Sequence, residues 1–208
     1  ARDDQERLAF ALDRTFDTAI AAGAFLTLLT FMGAPLAMSV LTGHADGPPV
    51  EVLRIQSLSL IVIFLNVSFA SALIALRRNL GLIVANLVTL AFTLAVAVVL
   101  IPLHGALGGA IAAAAGEWSL LGSYAFVLHR ARPDLRLRYG RVPRVALAAA
   151  ISAAAAALIH VPHFPNLGAV MIVGVAFPLA LIAVRGLPRE LLDAVIGRDR
   201  APARAGAR

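Results

Sequence analysis

The stretch "VLRIQSLSLIVIFLNVSFASALIALRR", residues 52–78, decides the fold. Between Arg54 and Arg77 no side chain carries a charge, and most are large and apolar. A helix needs about 20 mostly apolar residues to cross the hydrocarbon core of a bilayer. The run is long enough to do so, from about Leu53 to Leu76. Five further runs of the same kind flank it: Thr18 to Leu41, Leu80 to Leu103, Ala106 to Leu128, Val145 to Val161 and Leu167 to Val184. The fifth is short and alanine-rich, and the sixth carries Pro178, where a kink is expected. The pattern predicts an all-α, polytopic membrane helix bundle of about six transmembrane helices.

Composition agrees. Of 208 residues, 60% are hydrophobic and 14% charged, with a mean hydropathy of +0.86. Soluble domains carry about 25% charged residues, so a water-soluble fold of this length would expose too much apolar surface. The net charge of +6 comes entirely from arginine, because lysine is absent. The arginines lie between the apolar runs, as orientation in a bilayer requires, and nucleic acid is not an expected partner. There is no cysteine, so the redox compartment is left open. The opening "ARDDQERLAF" is polar and partly acidic, unlike a signal peptide, and the chain reads as part of a longer one.

Arginine placement tests the segmentation. With both termini cytoplasmic, the inner side holds Arg2, Arg7 and Arg14, the pair Arg77 and Arg78, six arginines from Arg130 to Arg144, and six from Arg185 onward. That is seventeen of eighteen; the outer loops, 42–52, 104–105 and 162–166, hold none. Such a bias supports an even number of spans. The expected organisation is a cytoplasmic juxtamembrane segment (1–17), a four-helix part (18–130), a basic cytoplasmic loop (131–144), a two-helix unit (145–186) and a cytoplasmic amphipathic segment with a disordered tail (187–208). "TGHADGPPVE" (42–51) breaks the helix. "DQERLAFALDRTF" (4–16), with Leu8, Leu12 and Phe16 four apart, could form a separate surface helix, as could "LPRELLDAVIG" (187–197).

Several residues stand out against this background. Arg54 heads the second span: it either binds an anion or anchors the helix end by snorkelling or by pairing with Glu51 one turn earlier. Glu117 is the only acid deep in a predicted span, so it either serves an ion or stays neutral and hydrogen-bonded. Asn66, Ser68 and Ser71 in the second span, and Asn86, Thr89 and Thr93 in the third, suit packing between helices or the lining of a polar cavity. Asn66 and Asn86 can hydrogen-bond across helices, while Ser57, Ser59 and Asn66 do not share one face. Gly105, Gly108, Gly109, Ala112 and Gly116 allow close helix approach. Arg77 and Arg78 fit the topology and could attract anionic headgroups. Trp118 and Tyr124 read as packing or boundary aromatics. His104, His160 and His163 lie near the outer surface without a ligand cluster, so no metal is expected. No phosphate loop, nucleophile elbow or zinc spacing points to an enzyme, and no cofactor is implied.

The order of elements over residues 31–130 resembles a known family. A helix ends in "LTG" (41–43), a polar loop follows, then "VLRIQSLSLIVIFLNVSFASALIALRRNLGLIVANLVTL" (52–90), and then "VVLIPLHGALGGAIAAAAGEWSLL" (98–121). This is similar to the oligosaccharide-lipid flippases of the multidrug/oligosaccharidyl-lipid/polysaccharide exporter superfamily, including their "IP-x-x-G-A-x-G-A" junction, here Ile101 to Ala110. The resemblance implies the last six spans of a two-lobed transporter in a bacterial inner (plasma) membrane, working with an N-terminal lobe. It implies a substrate, polyprenyl-pyrophosphate-linked oligosaccharide, received in a cationic cavity. Arg54, Asn66, Asn86, Arg77 and Arg78 are then the candidate substrate-binding residues and Glu117 the candidate ion-coupling residue. Alternatives are an exporter of the same superfamily with another cargo, such as a cell-wall lipid precursor or a drug, a membrane enzyme of polysaccharide assembly, or a non-transporting membrane scaffold.

Overall fold

The computed structural model of the chain describes residues 2–133, 142–158 and 165–183. These form six α-helices: α1 (Arg2–Thr42), α2 (Pro48–Ala75), α3 (Asn79–His104), α4 (Ala106–Ala131), α5 (Val142–Leu158) and α6 (Pro165–Ala183). There is no strand among the described residues. The first four are long and apolar enough to cross a membrane, α1 by its part Asp13–Thr42, while α5 and the Leu167–Ala183 part of α6 are shorter apolar helices. These helices point to a membrane protein. The expected surface segment 187–197, the tail after it, and His160 and His163 lie outside the described residues.

Two boundaries differ from the sequence reading. The expected surface helix 4–16 is not separate: α1 runs unbroken for 41 residues. Nothing between Asp4 and Thr18 breaks a helix, since there is no glycine or proline. Phe16 does not lie on a surface but in the core, edge-on to Phe69 of α2 with ring centroids 5.8 Å apart. The second difference is the loop expected at 42–52, which shrinks to 43–47. Pro48 and Pro49 do not end anything; they occupy the first two positions of α2. A proline there loses no hydrogen bond, because the first amides of a helix have no internal acceptor. Gly47, at φ 91°, makes the preceding turn in a conformation that a side chain would disfavour.

The helices pack as consecutive hairpins around α2. Gly23 of α1 brings that helix so close to α2 that a Cβ there would lie 2.8 Å from Ile61 Cα, and Thr27 Oγ1 accepts a hydrogen bond from the Ile61 amide at 3.2 Å. On its other side α2 meets α4, where Asn66 reaches Glu117. α3 lies along α4 in antiparallel register, from Leu100 against Gly108 at the joining turn to Gly81 against Val127 at the other end. Of α3, Ala85 alone is buried. Leu80, Leu87, Val98 and Leu103 are among the large apolar side chains it exposes. Exposed apolar surface all round a helix suits a hydrocarbon solvent. α5 and α6 pair with each other and both pack on α1, where Phe25 meets Phe177 at 5.5 Å.

Close approach of α3 and α4 depends on the absence of side chains. A Cβ on Gly108 would overlap the Leu100 carbonyl, and one on Gly116 would overlap Thr93 Oγ1. Gly105 joins the two helices at φ 58°. Overpacking a tight contact costs about 1–3 kcal/mol. Gly108→Ala is therefore expected to lower the thermal midpoint in detergent. Gly122→Ala, which meets open space on the same helix, is expected to leave it unchanged or raise it slightly. A similar loss in both variants would refute the close contact. Trp118, the single tryptophan, is 56% exposed near the middle of α4. In vesicles of lipids brominated along the acyl chains its fluorescence is expected to be strongly quenched; weak quenching would mean that protein covers this face.

Candidate functional site

The second helix carries polar groups at three levels. Near its first residues, Arg54 is the seventh residue of α2, about 9 Å beyond the first at 1.5 Å per residue. The early start of the helix, at Pro48, puts it deeper than its place in the sequence suggests. Its guanidinium lies over the ring of Phe31 of α1, 5.5 Å from Cζ to centroid, within cation–π range. Nε is buried and has no hydrogen-bond partner. Glu51 is exposed and makes no ion pair with it among the described residues. Beside this pair, a cavity of about 380 Å³ opens between α1, α2 and α5. Phe31 and Leu58, one turn after Arg54, line it together with Ile20, Leu28, Met32, Val145 and other apolar residues. Thr27 is its one hydroxyl, already accepting from the Ile61 amide. Arg54 adjoins this apolar slot through Phe31 rather than lining it.

The middle level joins α2 to α4. Asn66, 6% exposed, donates through Nδ2 to Glu117 Oε2 at 2.8 Å and to the Glu117 carbonyl at 3.3 Å. Its Oδ1 is buried without a partner. Glu117 itself is half-buried. Two turns further along α4, the buried Tyr124 accepts at its hydroxyl oxygen from Asn86 Nδ2 of α3 at 2.8 Å; Asn86 also bonds the Leu82 carbonyl of its own helix. Both asparagines thus tie neighbouring helices to α4. Ser68 and Ser71 instead bond the carbonyls of Phe64 and Val67 on their own helix, the usual recourse of a hydroxyl in an apolar helix. Thr89 Oγ1 and Ser59 Oγ are buried without partners. The tie to Tyr124 was missed in the sequence, where only its place on the fourth span was visible.

At the far end of α2, Arg77 and Arg78 are exposed. The Arg77 amide bonds the Ile74 carbonyl and the Arg78 amide bonds the Leu73 carbonyl, both at 2.9 Å. This is the Schellman ending of a helix, whose left-handed residue is commonly glycine. Here it is Arg77, at φ 54°. Nothing in the sequence signals this turn, because an arginine is the wrong residue for it.

The candidate residues do not converge. Twelve residues separate Arg54 from Asn66, about 18 Å along the helix, and Arg77 is about 35 Å from Arg54. One headgroup cannot touch all five proposed contacts. The structure brings together Arg54 with Phe31 and the slot, Asn66 with Glu117, and Asn86 with Tyr124. Among the described residues no group of acids or histidines is placed to hold a metal. Comparison with family models, with curated proteins and with solved structures finds no match for the chain.

A left-handed conformation costs a residue with a side chain about 1–2 kcal/mol relative to glycine. Arg77→Gly is expected to stabilise the protein by about 1 kcal/mol, seen as a higher thermal midpoint in detergent. An unchanged or lower midpoint would show that the Arg77 guanidinium makes a stabilising contact worth at least the strain.

Proposed function

We propose that the chain is the C-terminal part of a membrane flippase that translocates polyprenyl-pyrophosphate-linked oligosaccharide for surface polysaccharide biosynthesis. It works by alternating access, together with an N-terminal lobe, in a bacterial plasma membrane. Two things support this reading: the resemblance carried by residues 31–130, and the slot beside Arg54. The observation that carries most weight is the unpartnered Arg54 Nε, on a guanidinium stacked over Phe31, which itself lines an apolar cavity of about 380 Å³. A polyprenyl pyrophosphate has the matching halves, a long apolar chain and a doubly phosphorylated head. A guanidinium presents forked donors that match phosphate oxygens better than an ammonium does.

Orientation follows from charge. Of the arginines on α1 to α4, all but Arg54 lie toward the end where α2 meets α3, and that end is cytoplasmic by the positive-inside rule. The slot and Arg54 then belong to the outer half, where a cargo arriving at the outer leaflet is held before release. Asn66, Asn86 and the Arg77–Arg78 pair lie deeper or at the inner surface, so each would meet cargo at a different stage of the cycle. The acids of the spans are few, which favours an anionic cargo over a cationic drug.

The test is delivery of lipid-linked glycan to the outer leaflet by the full-length protein, at matched membrane levels. Arg54→Ala is expected to reduce delivery about tenfold or more, the size of one hydrogen bond to a charged group. Arg54→Lys keeps the charge and loses the fork, and is expected to be impaired to a lesser degree. Undiminished delivery in both would make Arg54 a boundary anchor.

A further inference from the structure

Among the described residues of α2 to α6, Glu117 is the one carboxyl group held away from the end of its helix. Its partner is an amide that is only half satisfied. Both bonds of Asn66 Nδ2 go to Glu117, one to Oε2 and one to the backbone carbonyl. Asn66 Oδ1, buried in the α2–α4 contact, receives nothing. In a medium without water, an amide oxygen left without a donor is costly, and native structures rarely leave one so.

The chemistry of the two groups says what is missing. A carboxylate only accepts, so facing an amide it can satisfy the N–H but never the carbonyl. A carboxylic acid has one O–H to donate. An amide and a carboxylic acid therefore pair through two bonds, N–H to one oxygen and O–H to the amide oxygen. The donor that Asn66 Oδ1 lacks is the one that a proton on Glu117 would bring, after rotation of the carboxyl about its last torsion. We propose that Asn66 and Glu117 form a proton-binding site. With Glu117 charged, α2 and α4 share one side-chain to side-chain bond; with a proton taken from water onto the carboxylate, they share two.

The surroundings leave the proton as the fitting ligand. On α2 the other titratable groups are Glu51 and Arg54, in its first two turns. On α3 there is His104 alone, at its last residue. On α4 there are Tyr124, whose oxygen already accepts from Asn86, and His129 and Arg130 in the last turn. On α1, which packs on the opposite side of α2, Asp13, Arg14 and Asp17 lie about three to four turns in, where Arg14 and Thr18 line a pocket with Phe64, Val67 and Ser68 of α2. Those on α2, α3 and α4 stand about two helical turns or more from the level of Glu117 along their helices, about 10 Å or more, while the groups on α1 lie near that level with α2 between them and Glu117. A hard metal ion such as calcium takes about six to eight oxygens, and one carboxylate with one amide oxygen falls far short. Gly116 admits Thr93 of α3 against the turn that carries Glu117. If the transport reading holds, this proton is its coupling ion; the site itself does not rest on that reading.

Infrared spectra of the purified protein in detergent, with its glutamates labelled at the side-chain carboxyl carbon, test the site across a pH series. The chain has only four glutamates, Glu6, Glu51, Glu117 and Glu190, so the labelled signal is simple. The expected result is a labelled band of a protonated carboxyl that grows on acidification, is missing in Glu117→Gln, and moves to higher frequency in Asn66→Ala, where the acid loses its partner. A glutamine side chain carries a permanent N–H donor, so the thermal midpoint of Glu117→Gln is expected to respond less to acid than that of the wild type. Identical spectra in wild type and Glu117→Gln would overturn the site, as would a band that Asn66→Ala leaves in place. Loss of the band on adding sodium or calcium at fixed pH would also overturn it, in favour of a metal ion. Should Glu117→Gln fail to fold, Asn66→Ala keeps the carboxyl and still decides. No readout here uses transport, so the failure of one proposal is not the failure of the other.

Discussion

A hydrocarbon solvent offers no hydrogen bonds, and that constraint organises this chain. Every amide and carbonyl that crosses must be met from within, so the backbone is helical wherever it is deep. The joints between the long helices are correspondingly short. Gly105 alone turns α3 into α4, and its amide still bonds the Ile101 carbonyl. Between α2 and α3, two arginine amides complete the last carbonyls of α2. Side chains obey the same rule. Hydroxyls turn back onto their own helix, and amides reach for the next one. Against so complete an accounting, the few buried atoms without partners, Arg54 Nε, Ser59 Oγ, Asn66 Oδ1 and Thr89 Oγ1, are conspicuous. Two of them, on Arg54 and Asn66, lie where a ligand or a proton would supply what is missing.

The same solvent removes the usual reason for helices to associate, since lipid tails are as apolar as leucine. Contact must then come from close packing and a few polar ties. Glycine supplies the first: Gly23 against Ile61, Gly81 against Val127, Gly108 against Leu100 and Gly116 against Thr93. Each sits where a methyl group would force the helices apart. Asn66 and Asn86 supply the second, and both end on α4. α4 is thus bound on two sides by polar ties, with a carboxyl in one of them. A change of protonation at that point acts on the helix that holds α2 and α3 in register.

Apolar length was enough to find the six helices, because in a membrane protein hydropathy alone marks a span and no periodicity is needed. Helix ends were harder. Pro48 and Pro49 were read as breakers, although at the first turn they start a helix as readily as they stop one. The join at Phe16 was missed because a regular spacing of apolar residues looks the same on a surface helix and in a continuous one. The turn at Arg77 was invisible, since its residue contradicts its conformation. The two asparagines could be singled out, but their partners could not. Asn66 and Glu117 are brought level by the parallel course of α2 and α4, which depends on the tilt and register of the α3 hairpin between them. Such a register is a sum of many small contacts, and no local motif encodes it.

The surroundings of Arg54 bear on the two readings its sequence allowed. An anchor extends toward the interface, where headgroups and Glu51 would receive it. Here the early start of α2 sets Arg54 well inside the helix, and the side chain lies sideways across Phe31 of the neighbouring helix. Glu51, one turn closer to the interface, stays exposed and unpaired with it. A ring face offers a guanidinium attraction but no acceptor for its N–H groups. Phe31 therefore positions the cation without satisfying it, and it does so while also lining an apolar cavity. On the proposed function, an anionic headgroup supplies the acceptor that Arg54 Nε lacks, and the apolar cavity beside it takes the attached chain.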